Sequence, residues 1–152
     1  MGLDVYSLLR GLANPGRPVF GNMNGDFHLP KEPVGFDDPE VESFYRFLRS
    51  NGLTVREVPQ SYLLKRFPKA RQEDAIGYLD GNQVYLATDY RGRELPGRIK
   101  RAVGLHELGH YRTGDDEGAA QKEALRIATE ELPDPETRAQ IVEFGRQYGW
   151  LN

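Results

Sequence analysis

The chain has 152 residues, 38% apolar and 28% charged, with a net charge of −3 and no cysteine. This suits one domain with a sizeable core and excludes disulfides and thiolate metal sites. No apolar run approaches the roughly 18 residues of a membrane span, and the mild negative charge lacks the basic footprint of a general nucleic-acid binder.

Residues 1–38 are dense in Gly, Pro and Asn and show no sustained period, so they read as an irregular N-terminal arm ahead of a single domain, residues 39–152. The opening "MGLDVYSLLRGLANPG" carries Asp4 and Arg10 and makes a poor signal peptide, which together with the missing cysteines points to the cytoplasm. Further along the arm, "GNMNGDFHLP" sets Asp26 beside His28. That segment could fold over a cleft as a latch, although a loop histidine is usually a surface residue.

Order begins at "DDPEVESFYRFLRSNG". Asp38 can cap a helix, Pro39 suits its first position and Gly52 can close it. Val41, Phe44, Tyr45 and Leu48 follow the spacing of a one-sided apolar face. "LTVREV" reads as a short strand, and "PQSYLLKRFPKARQED", with two prolines, as a short helix or a loop. Two β-rich runs, residues 75–79 and 83–88, flank the turn Asp80-Gly81-Asn82 and predict an antiparallel hairpin. The arginine-rich "YRGRELPGRIKR" that follows reads as a solvated helix entry, with a substrate contact as the minority alternative.

Residues 96–112 then form a predicted helix, with Ile99, Ala102, Val103, His106 and His110 on its inner side and Gly114 as its stop. Asp115 and Asp116 open a second helix that runs to Pro133, and Asp134-Pro135-Glu136 opens a third. The order helix, strand, hairpin, helix, helix, helix predicts an α+β fold with a small antiparallel or mixed sheet beside the helix of residues 96–112.

That helix contains "HELGH", residues 106–110. On a helix, residues four apart share one face, so His106 and His110 can present two imidazoles to one cation, with Glu107 beside them as a base for water. The plainer alternative is a pair of histidines that cap a helix end or pack in a core. A catalytic zinc usually takes three protein ligands and leaves one position open. The six-residue link "YRTGDD" is short enough for a helical hairpin, which sets Glu117 next to His110. Ala120, Ala124 and Ala128 continue the face of Glu117 and allow close helix approach. Glu123 stands about 240° round that helix from Glu117, Asp116 is a lesser alternative, and Gln121 is well placed but a poor zinc ligand. Asp116 falls where metzincins carry their third ligand, but no methionine lies downstream to make their methionine turn.

With "IGYLDGNQVYLATD", "LHELGHYRTG" and "EGAAQKEA", the chain resembles the gluzincins, and more narrowly the ImmA/IrrE-like peptidases and the minigluzincins. The resemblance covers residues 75–132 well and 40–74 loosely. Two departures are the short gap from His110 to Glu117 and Gln121 in place of the family's common Asn or Asp. The resemblance implies a minimal zincin-like domain and a zinc-dependent metalloendopeptidase acting on a peptide or protein. Zn²⁺ would be held by His106, His110 and Glu117, with Glu107 as general base. It also implies a transition-state donor, for which His28, Tyr111 and Tyr148 are the possibilities. An edge strand above the metal would pair with substrate, and residues 83–88 are the natural choice. The alternative is a latent or catalytically silent zincin serving as a regulatory or binding module.

Overall fold

Helix α1 (Pro39–Ser50) turns Val41, Phe44, Tyr45 and Leu48 into the interior, and all four are essentially sealed from solvent. The computed structural model describes residues 2–3 and 39–151, so His28, Asp26 and the irregular arm around them lie outside the described residues. A tight turn through Gly52 leads into β2 (Thr54–Val58). The two-proline stretch forms two short helices, α2 (Gln60–Arg66) and α3 (Pro68–Glu73). Pro68 sits in the first turn of α3, where its missing N–H costs nothing, and Asp74 closes α3 in the left-handed conformation.

The hairpin forms as β3 (Gly77–Asp80) and β4 (Gln83–Ala87). Asp80 pairs with Gln83, so the loop is Gly81-Asn82, and Gly81 takes the positive φ that such a turn demands. The sheet order is β1-β3-β4-β2, where β1 is Gly2–Leu3. Strands β3 and β4 are antiparallel, β2 and β4 are parallel, and β1 and β3 are antiparallel.

This topology corrects one expectation. Strand β4 has a neighbour on each side and offers no edge; β3 lies outside it, capped among the described residues by the two-residue β1. The reason is the parallel β2–β4 pairing, which needs the long crossover through α2, α3 and β3. The four consecutive buried residues Val84, Tyr85, Leu86 and Ala87 belong to a strand covered on both faces. One face packs with the main core of α1 and the later helices; the other, through Tyr85, meets Leu63, Phe67 and Ala70 under α2 and α3.

After a small ribbon, β5 (Asp89–Tyr90) with β6 (Arg93–Glu94), the chain enters α4 (Gly97–Thr113). Helix α4 runs through the core and is buried from Ile99 to His110. Helix α5 (Glu117–Arg126) continues into a π-helical turn, Ile127–Glu131, and α6 (Pro135–Tyr148) closes the bundle. The fold is α+β, and no described helix is long and apolar enough to cross a membrane.

The charge run at the α4 entry is not solvated throughout. Lys100 and Arg101 are 1% and 3% exposed. Lys100 Nζ meets Glu57 Oε1 of β2 at 2.8 Å, and Arg101 Nε donates to Thr137 Oγ1 at 2.8 Å and pairs with Asp134 at 3.0 Å. Burial of a charge is tolerated because each has a partner in reach. These two residues tie α4 to β2 and α6.

Candidate metal centre

The site is built on three consecutive features: the last turns of α4, the link, and the first residue of α5. Helical spacing brings the rings of His106 and His110 to 4.6 Å between centroids, nearly perpendicular to one another. Gly114 ends α4 at φ +108°, and its N–H donates to the His110 carbonyl. The link then folds back sharply enough for α5 to start beside α4. Asp116 caps α5, its Oδ1 accepting from the backbone N–H groups of Gly118 and Ala119.

Close approach of the two helices depends on Gly109. A Cβ there would stand 2.1 Å from the Ala120 carbonyl oxygen. Ala120, Ala124 and Ala128 are all buried along the matching face of α5 and the π-helical turn. With the helices this close, the Glu117 carboxylate bridges both imidazoles. Its Oε2 lies 2.9 Å from His106 Nε2 and its Oε1 lies 2.9 Å from His110 Nε2. One ligand atom from each of these three residues lies within 4.8 Å of the other two.

The remaining ring nitrogens set the tautomers. His110 Nδ1 faces the Gly114 carbonyl at 2.7 Å, which can only accept, so Nδ1 carries the proton. His106 Nδ1 faces Gln121 Oε1 at 2.6 Å. The amide is oriented by its other end, where Gln121 Nε2 donates to the Ile141 carbonyl at 2.9 Å, so His106 Nδ1 also donates. With each Nδ1 committed, both rings turn Nε2 towards Glu117, where Nε2 donates to the carboxylate a proton that a cation would replace. Burial pushes the Glu117 carboxyl up, but its bonds to the two imidazoles outweigh this and bring it down to about 2. Two imidazoles and a carboxylate suit Zn²⁺ and other borderline divalent ions. Tetrahedral ligands at about 2.0–2.2 Å from an ion stand roughly 3.3–3.6 Å apart, so the two 2.9 Å contacts must open by a few tenths of an ångström to admit one. These residues fit a metal ion.

Glu107 sits next to the first histidine and is fully buried, with no hydrogen-bond partner for either carboxylate oxygen among the described residues. Burial pushes its carboxyl up to about 7 despite the opposing pull of the two imidazoles. Strand β3 lies directly on it: a Cβ on Gly77 would stand 3.3 Å from Glu107 Oε2 and would collide with Val103. The imidazoles are 2% exposed, whereas the Glu117 side chain is 41% exposed, so the cluster faces solvent on the α5 side.

The alternatives to Glu117 are engaged elsewhere. Glu123 pairs with Arg112 and Arg126, and Asp116 is the helix cap. Tyr111 is exposed and lies against Gly52. Tyr148 stacks on Trp150 at 4.6 Å, and Trp150 stacks on His106 at 4.8 Å. Two contributions escaped the sequence reading. Gln121 orients His106 rather than competing as a ligand; its place four residues after Glu117 was the available signal. Trp150 follows the last helix, where no periodicity points to it. No family model matches the chain, and the searches of curated proteins and of solved structures return no match.

Proposed function

We propose that the chain is a zinc-dependent metalloendopeptidase with a minimal zincin-like arrangement. The observation that carries this reading is the convergence of His106, His110 and Glu117, ligand atoms within 4.8 Å of one another, beside a buried Glu107 that has no hydrogen-bond partner among the described residues. Bound there, zinc would supply Lewis acidity towards a carbonyl and acidify water. Gln121 and the Gly114 carbonyl hold the two imidazoles in the tautomer that such an ion requires. Glu107, with its carboxyl near 7, suits a group that accepts a proton from water and returns it to the leaving amine.

Elemental analysis of the purified chain, joined to cleavage of labelled casein with and without o-phenanthroline, tests the reading. Stoichiometric zinc and chelator-sensitive cleavage are expected. Cleavage that survives full removal of metal would refute it. A second reading, a silent zincin serving as a binding or regulatory module, draws on the complete burial of Glu107. Stoichiometric zinc without any cleavage would favour it.

A further inference from the structure

Glu107 is covered by a strand, and that strand is itself covered. Gly77 of β3 lies against Glu107, and its partner on the other flank of β3 is Leu3; Gly2 pairs with Tyr78. Neighbouring strands lie about 4.8 Å apart, so the backbone of Leu3 runs one strand spacing from the backbone that touches the base. The opposite edge of the sheet, β2, is two strands further from Gly77. A peptide adding to the sheet near Glu107 must therefore add to β3, on the flank that β1 holds. Antiparallel addition there uses main-chain hydrogen bonds and is tolerant of sequence.

The β1–β3 pairing spans two residues, against four for β3–β4 and five for β2–β4. It is the weakest ladder in the four-stranded sheet and the first that a competing strand can replace. We propose that the outer edge of β3 is the seat of an extended peptide, and that the chain's own Gly2–Leu3 strand occupies it in a substrate-like antiparallel pairing until displaced. This rests on the peptidase reading for its consequence, since an occupied edge holds the site closed. It differs from a latch by Asp26 or His28 in acting on the sheet edge rather than on the cation.

The test uses the full chain carrying Gly2→Pro and Leu3→Pro, which removes the one backbone donor that faces β3 whichever residue supplies it, and separately the milder Gly2→Pro. The probe is a fluorescein-labelled peptide of residues 1–8, MGLDVYSL, offered in trans to zinc-loaded protein with Glu107→Gln added to prevent cleavage. Two net hydrogen bonds correspond to about ten- to a hundredfold in apparent affinity, which displacement of β1 should release. The proline variants should show faster amide exchange across residues 77–79, bind the probe at least about tenfold more tightly than the chain with native Gly2 and Leu3, and recover protection when it binds. Unchanged exchange at 77–79 in both proline variants, or equal probe binding by all forms, would overturn the proposal. With Glu107 intact, tighter binding without casein cleavage keeps the edge assignment and removes the peptidase reading. Equal cleavage by parent and proline variants does the reverse.

Discussion

Replacing Gln121 by alanine tests how the protein would prepare the proposed metal site. The side chain is 1% exposed and links His106 Nδ1, at 2.6 Å, to the Ile141 carbonyl, at 2.9 Å. Without it the imidazole N–H loses its only acceptor among the described residues, and the ring's orientation is left to the Trp150 stack and the Glu117 contact. A buried donor left unpaired costs about 1–3 kcal/mol, and lost partners of this kind lower metal affinity by about 10- to 100-fold. The two estimates agree, since 1.4 kcal/mol is about tenfold. Competition with a chromophoric chelator measures the zinc affinity directly, without reliance on turnover. Gln121→Glu keeps an acceptor against Nδ1 but faces the Ile141 carbonyl with an oxygen in place of a donor, so it should restore only part of the affinity. Alanine binding zinc as tightly as the parent would refute the tautomer argument. A glutamate variant as weak as alanine would show that the donor to the Ile141 carbonyl matters as much as the acceptor at His106.

Glu107→Gln should retain zinc while casein cleavage falls by about 10²–10⁴-fold; cleavage at the parent rate would remove Glu107 as the base. Elemental analysis should find zinc lost from Glu117→Ala and kept by Glu123→Ala, and the opposite result would reassign the third ligand. Gly109→Ala puts a methyl 2.1 Å from the Ala120 carbonyl oxygen, so the helices must part at a cost of about 1–3 kcal/mol. An unchanged melting temperature would show that α5 shifts freely. Lys100→Met strands the buried Glu57 carboxylate and should cost about 3–5 kcal/mol in denaturant unfolding, partly recovered by adding Glu57→Gln. No recovery would mean that the ion pair was not the source of the loss. The Arg126 hydrogen bond first, with Arg112, holds the Glu123 carboxyl down to about 2 against burial. Its stabilisation is complete above the ordinary value of 4.5 and disappears as pH falls towards about 2, so the stability gap between parent and Glu123→Gln should close over that window. A gap constant with pH would contradict it.

What could be read beforehand was what depends on local periodicity. The helix carrying HELGH and the placing of Glu117 beside both histidines follow from phase along neighbouring helices, and the hairpin around Asp80-Gly81-Asn82 from its turn residues. The unread features pair residues far apart in the chain. Lys100 finds Glu57 across 43 positions and Arg101 finds Thr137 across 36, so a run of charges that looked solvated is structural. Strand β4 looked like an edge because its partner β2 enters from before the crossover. Its unbroken apolar run was the overlooked sign of a central strand. The β1 pairing joins residues some 75 positions apart, with no pattern in Gly2 or Leu3 to announce it.

The indole of Trp150 lies 4.8 Å from the His106 ring, tilted by only 24°, and it is the only tryptophan in the chain. Every photon emitted by indole in this protein therefore originates beside one imidazole. Protonated imidazole quenches an adjacent indole by accepting an electron from its excited state, whereas a ring bound to a closed-shell cation has a different electron affinity. The intrinsic emission of the unlabelled protein thus reads the chemical state of His106 in real time. Mixing experiments can follow it on the millisecond scale, with no dye and no change to the sequence.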